Sequence, residues 1–176
     1  MIMQNLVLLL FLLASGVVLS SGNYLEPEDF IQQAFAGEPP NPRVIWLTGE
    51  LKQQFKHITG HDPASLRQRY WAKAQRSVWI LEEIGKSEPI TVGVVINRDK
   101  IEQLKVLIFR ESRGDEVRYP FFTEQFRGAG LSERQQLDQS IDGISGATLS
   151  VRALRKIARL ALLLHQQRST DEIASK

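Results

Sequence analysis

Apolar positions follow three different rhythms along this chain, and each marks a different kind of segment. The first is unbroken. Leu6 to Leu19 is nearly all apolar, and no charged side chain occurs from Met1 to Tyr24. A run without a polar face does not suit a surface-packed helix of a globular domain. Followed by Ser20-Ser21-Gly22, it reads as a secretory signal with a small-residue cleavage site. If Val17 to Leu19 extend it, the run is also long enough for an uncleaved anchor. No Lys or Arg precedes it, so the α-amino group alone supplies positive charge. Residues 1–22 are therefore expected to be a signal peptide or an N-terminal membrane anchor. The chain is expected to be exported, either periplasmic or anchored to the outer face of the inner membrane.

The second rhythm is helical. After Pro27 the apolar residues Phe30, Ile31, Ala34 and Phe35 recur at helical spacing, with Glu28 and Asp29 in the first turn. Gly37 to Pro42 ends that helix in an extended link, and Val44 to Leu47 is a short strand candidate. Thr48 is placed to cap a second helix, Gly49 to His57, which buries Leu51, Phe55 and Ile58 and stops at Gly60. Residues 23–68 are read as a helical N-terminal extension.

From Arg69 the rhythm becomes that of strands. Tyr70–Gln75, Ser77–Ile84, Ile90–Ile96 and Ile101–Arg110 are rich in Val, Ile, Leu and aromatics, with turns at 85–89 and 97–100. The strands around Asn97 read as a hairpin, so the sheet is largely antiparallel. Phe121 to Phe126 reads as a short helix closed by Gly128. A final helix places Val151, Leu154, Ile157, Ala158, Ala161 and Leu162 on one face. The expected fold is α+β: a largely antiparallel sheet flanked by helices on one face or end, in a domain over residues 69–168 with a polar tail at 169–176.

Composition adds bounds. At 176 residues, with 43% hydrophobic and 24% charged, the chain suits one modest domain that needs no metal or disulfide staple. A net charge of +2 gives no argument for nucleic acid as a partner. The absence of cysteine removes thiol catalysis, Cys-ligated zinc and disulfides. There is no GxGxxG and no GxxxxGK[ST], so the Rossmann and P-loop routes to nucleotides are closed. His57 and His61 stand four apart, but Gly60 and Pro63 end the helix that a metal pair would need. His165 reads as a capping side chain at the frayed end of the last helix. No Ser-His-Asp spacing stands out.

The most informative segment is Asp142-Gly143-Ile144-Ser145-Gly146-Ala147-Thr148, which runs straight into the final helix. Free N–H groups and the positive end of the macrodipole attract an anion there, and small residues allow close approach of a phosphate. The plain alternative is a turn in which Ser145, Thr148 or Ser150 caps the helix. Both readings stay open on chemistry alone. Arg152, Arg155, Lys156 and Arg159 fall mostly on the polar face of that helix. They form either a solvated face or a docking face for an acidic partner or anionic lipid. Arg152 alone lies close enough to the helix start to reach a phosphate.

Asp142 to Thr148 resembles the flavinylation motif of the FMN-binding domain family: Asp, two variable positions, Ser or Thr, Gly, Ala, then Thr or Ser. That domain also occurs in subunits of the sodium-pumping quinone reductase and Rnf complexes. The similarity runs from about Glu83 to His165, through Pro89 to Ile96 and Glu111-Ser112-Arg113-Gly114. The resemblance implies FMN as cofactor, joined through its phosphate to the Thr148 hydroxyl by a flavin transferase. Asp142, Ser145, Gly146 and Ala147 would then be recognition and positioning partners. Larger members often carry a Pro-Gly-Leu-Gly-like loop after the Glu. This chain has Ser112-Arg113-Gly114-Asp115-Glu116 instead, so ring contacts from that loop transfer poorly. Glu111 is the position expected to hydrogen-bond the edge of the flavin ring; Arg113 and Tyr119 are weaker candidates, and Trp79 and Phe109 belong to the core. The implied function is an electron-transfer carrier with redox partner proteins, membrane-associated, rather than a stand-alone enzyme. Two rivals are a flavin-dependent reductase with its own soluble substrate and a non-redox periplasmic binding or assembly module.

Overall fold

The computed structural model describes residues 25–174, with side chains through Arg168. The expected leader lies outside the described residues. Among them, no helix is long and apolar enough to cross a membrane.

Five strands form one sheet in the order of the chain, each antiparallel to the next. They are β1 (Arg43–Trp46), β2 (Arg67–Lys73), β3 (Arg76–Ile84), β4 (Pro89–Asn97) and β5 (Lys100–Phe109). The β4–β5 hairpin turns on Arg98 and Asp99, both with positive φ (51° and 60°). That matches the twist of the flanking strands. Among the described residues, four α-helices accompany the sheet: α1 (Pro27–Ala34), α2 (Gly49–Thr59), the short α3 (Pro120–Thr123) and α4 (Thr148–Ala174). Single 3-10 turns at Asp115–Arg118 and Glu124–Phe126 flank α3.

Strand alternation sorts the core into two clusters. Trp79, Leu81, Ile90, Val92, Val94 and Ile96 face α4 and α2, whereas Val78, Val95 and Leu107 face Phe30 and Ile31 of α1. Helices therefore lie on both faces of the sheet, not on one face or end as the sequence suggested. Phe30 sits so close to β4 that a Cβ on Gly93 would stand 2.4 Å from its ring.

Three features differ from expectation. Residues 25–68 are not an appendage: β1 is a strand of the sheet, and Leu51, Phe55 and Ile58 of α2 enter the main core. The short apolar runs read correctly as elements, but their pairing is long-range and leaves no local signal. The polar stretch 169–174 continues α4 rather than trailing from it. His165 does not cap a frayed end; it is 2% exposed, with Nδ1 2.6 Å from Ser77 Oγ. The Trp79 indole N–H donates to the same hydroxyl at 2.7 Å. The serine oxygen accepts from Trp79 and is hydrogen-bonded to His165 Nδ1, so all three side chains have a partner inside the core.

Candidate functional site

The polar groups at the start of α4 are left open. Ala147 occupies the cap position, its carbonyl accepting the Val151 N–H at 2.9 Å. An alanine side chain cannot return a hydrogen bond to the first turn. The N–H groups of Thr148, Leu149 and Ser150 have no acceptor among the described residues, and no hydroxyl of Ser145, Thr148 or Ser150 caps the helix. The side-chain cap, one of the two sequence readings, is thus absent. What stands there is a set of free donors at the positive end of a helix of 27 residues, the setting in which a phosphate is held.

The approach to those donors is clear. Ser145, Gly146 and Thr148 are exposed. A Cβ on Gly143 or Gly146 would meet nothing within 4 Å. The loop is nevertheless fixed from beneath: Ile141 and Ala147 are buried, and Ile144 packs against the core. The Gln125 side chain accepts the Asp142 N–H at 2.7 Å, and Arg155 donates to the Ile141 carbonyl. Nothing in the sequence marked Gln125 or this role of Arg155, since both contacts join residues far apart in the chain. The Asp142 carboxylate itself is exposed and makes no bond among the described residues.

Gly114 brings the Glu111–Gly114 loop onto the first turn of α4. Its φ is +83°, and a Cβ there would stand 2.9 Å from Ser150 Oγ and 3.4 Å from the Ala147 methyl. Only glycine meets both conditions without displacing the helix start. Arg113 is exposed, and exposed Tyr119 stacks on Phe121 at 6.4 Å.

Glu111 is tied to the β3–β4 turn. Its Oε1 accepts the N–H groups of Lys86, Ser87 (2.7 Å) and Glu88 (3.0 Å), which closes the β3–β4 turn. The Glu88 N–H above all, then those of Ser87 and Lys86, hold this carboxyl below its ordinary range. Oε1 is thereby committed to the protein's own backbone, and Glu111 holds this turn.

The basic face of α4 is likewise more structured than either sequence reading. Lys156 pairs with buried Glu83 at 3.0 Å and reaches the Thr59 carbonyl, while Arg159 donates to the Gln135 carbonyl at 2.6 Å. Glu83 also bonds His61 at 3.0 Å. The Asp62 carbonyl first, with help from Glu83, raises the His61 imidazole above its ordinary range. Arg152 is the exception. It is exposed, one turn from Thr148 on the same face, with no bond or ion pair among the described residues. Among the described residues, no cluster of three or more His, Cys, Asp or Glu is arranged to hold a metal.

Residues 85–163 match the family model described as FMN-binding domain. No curated protein matches the sequence. Among solved structures, the crystal structure of Shewanella oneidensis NqrC is similar, with a TM-score of 0.54 and 15% identity. The alignment covers 78% of this chain and 88% of that one, so the two share a fold. The site fits the cofactor the family binds: an exposed hydroxyl, free N–H donors and an unpaired Arg152 answer the needs of a phosphate. Residues 85–163 therefore carry an FMN-binding domain, and the cofactor is FMN.

Proposed function

We propose that this protein is an exported electron-transfer flavoprotein carrying FMN phosphoester-linked to Thr148. The observation that supports this best is the pairing of an exposed Thr148 hydroxyl with three unanswered N–H groups in the same turn. An ester to Thr148 Oγ brings the phosphate to those donors, where its remaining negative charge meets the helix dipole and Arg152. Ser145, Gly146 and Ala147 keep the approach open for a flavin transferase, and Asp142, free of internal bonds, is the recognition handle offered to it. FMN supplies the redox chemistry; the protein supplies attachment, orientation and charge. Covalent attachment also keeps a small soluble cofactor with its carrier after export. The uncharged run before Glu26 supports export, and the partners are redox proteins at the membrane.

The test is chemical. Coexpressed with a flavin transferase, the denatured wild type should be heavier by one FMN less one water. Thr148→Val should be unmodified, and Thr148→Ser modified. An adduct retained on Thr148→Val would place the acceptor elsewhere. Export is checked separately by fusing residues 1–30 to a reporter active only outside the cytoplasm; a silent reporter contradicts it.

A further inference from the structure

We propose that the cationic groove beside α4 is the docking site for an acidic face of an electron-transfer partner, placed to meet the flavin on Thr148. The inference rests on the carrier reading and adds the location and charge of the partner's footprint.

The groove encloses about 470 Å³ between α4 and the segment leading into the flavin loop. Arg152, Arg155, Lys156 and Arg159 line it, with Gln136 and Gln139 on the other wall, and no carboxylate takes part in the lining. It begins at Arg152, one turn after Thr148 on the same helix face. Three of its four cations have no carboxylate partner among the described residues; the fourth, Lys156, has Glu83. Arg155 and Arg159 bond backbone carbonyls, which satisfy hydrogen bonds without supplying negative charge, and Arg152 bonds nothing among the described residues. Arg159 is partly withdrawn from water, and burial pulls its guanidinium below its ordinary range. A chain whose net charge is only +2 therefore concentrates uncompensated positive charge beside its cofactor attachment point.

That pattern suits a transient protein partner. Electron-transfer encounters use small interfaces and depend on complementary charge for steering more than on buried apolar area. A membrane surface is the weaker fit: none of the exposed large apolar side chains, Leu149 and Phe121 among them, lines this groove.

The test begins with protein whose adduct has been verified by mass. The dithionite-reduced protein is reoxidised by the anion ferricyanide, two ions each taking one electron per flavin, or by the cation hexaammineruthenium(III). The ferricyanide rate should fall roughly tenfold from low to high salt, while the ruthenium rate rises. The double variant Arg155→Gln/Arg159→Gln should lose most of the ferricyanide advantage, and Arg155→Lys/Arg159→Lys should keep it. The ratio of the two oxidants removes any change in flavin potential. A second arm uses Thr148→Val, which carries no flavin, and a fluorescent poly-glutamate peptide. Binding should be lost on adding the Gln pair and retained with the Lys pair. Equal salt responses for the two oxidants, an unaffected Gln variant, or preference for vesicles of anionic lipid over the peptide would each overturn the proposal. A wild type without adduct contradicts the carrier reading instead, and the peptide arm still judges the groove.

Discussion

Two stretches of α4 treat polar groups in opposite ways. At its start, Thr148 and the N–H groups around it are exposed and unanswered. Nearly five turns further on, Ser77, Trp79 and His165 are sealed together, each at 2% exposure or less and hydrogen-bonded to one another. Asp99 even stands 3.6 Å from His165 Nε2, so serine, histidine and aspartate fall in line, but with the two imidazole nitrogens exchanged relative to a hydrolase triad. The resemblance is only formal. Ser77 is wholly buried and its oxygen already accepts the indole N–H, so no substrate can reach it. Chemistry belongs to the stretch whose groups are open, and rigidity to the stretch whose groups are closed.

Mutations at the two stretches should separate stability from attachment. The largest stability effect is expected from Trp79→Ala, which removes a fully buried ring stacked on Tyr70 at 4.8 Å and the donor to Ser77. Denaturant unfolding should show a loss of about 3–5 kcal/mol, with the surviving folded protein still flavinylated. Gly114→Ala is expected to cost about 1–3 kcal/mol through its positive φ and the contact with Ser150. Because it displaces the first turn of α4, it should also lower adduct yield. Ser77→Ala should cost a similar or smaller amount, about 1–3 kcal/mol, by removing the hydroxyl that the indole N–H and His165 Nδ1 share. Its adduct yield should be that of the wild type; a fall would couple the two stretches and break the contrast.

The smallest effect is a pH dependence. Glu111 has its carboxyl held below the ordinary range, so its stabilisation is complete above that range and is lost as pH falls through the depressed value. The stability gap between wild type and Glu111→Gln should be widest near neutrality and close in acid. A gap that widens in acid would mean the turn does not depend on the carboxylate.

Much of this was legible in the chain. Alternation in β3, β4 and β5 identified the strands, and the small-residue run ahead of the Val151, Leu154, Ile157 face located the loop and helix. What escaped was set by contacts between distant residues. Glu111 and the 85–88 turn meet only because β4 and β5 pair, and Gln125 grips Asp142 only because the 3-10 turn at Glu124–Phe126 lies beside the loop. His165 reads as polar and terminal in one dimension, yet the helix carries it under β3 to Ser77. Local rhythm reports which face is apolar; it does not report which polar side chain finds a partner across the core.

The central claim is that the open end of α4 carries the cofactor on one hydroxyl. Trypsin cleaves after Arg134 and Arg152, which releases a peptide containing Ser140, Ser145, Thr148 and Ser150. Fragment mass spectrometry of that peptide, taken from wild type matured with a flavin transferase, assigns the modified oxygen directly. The account predicts a mass gain of one FMN less one water on Thr148 alone. A gain on Ser145 or Ser150, or an unmodified peptide beside flavin bound elsewhere, would contradict it.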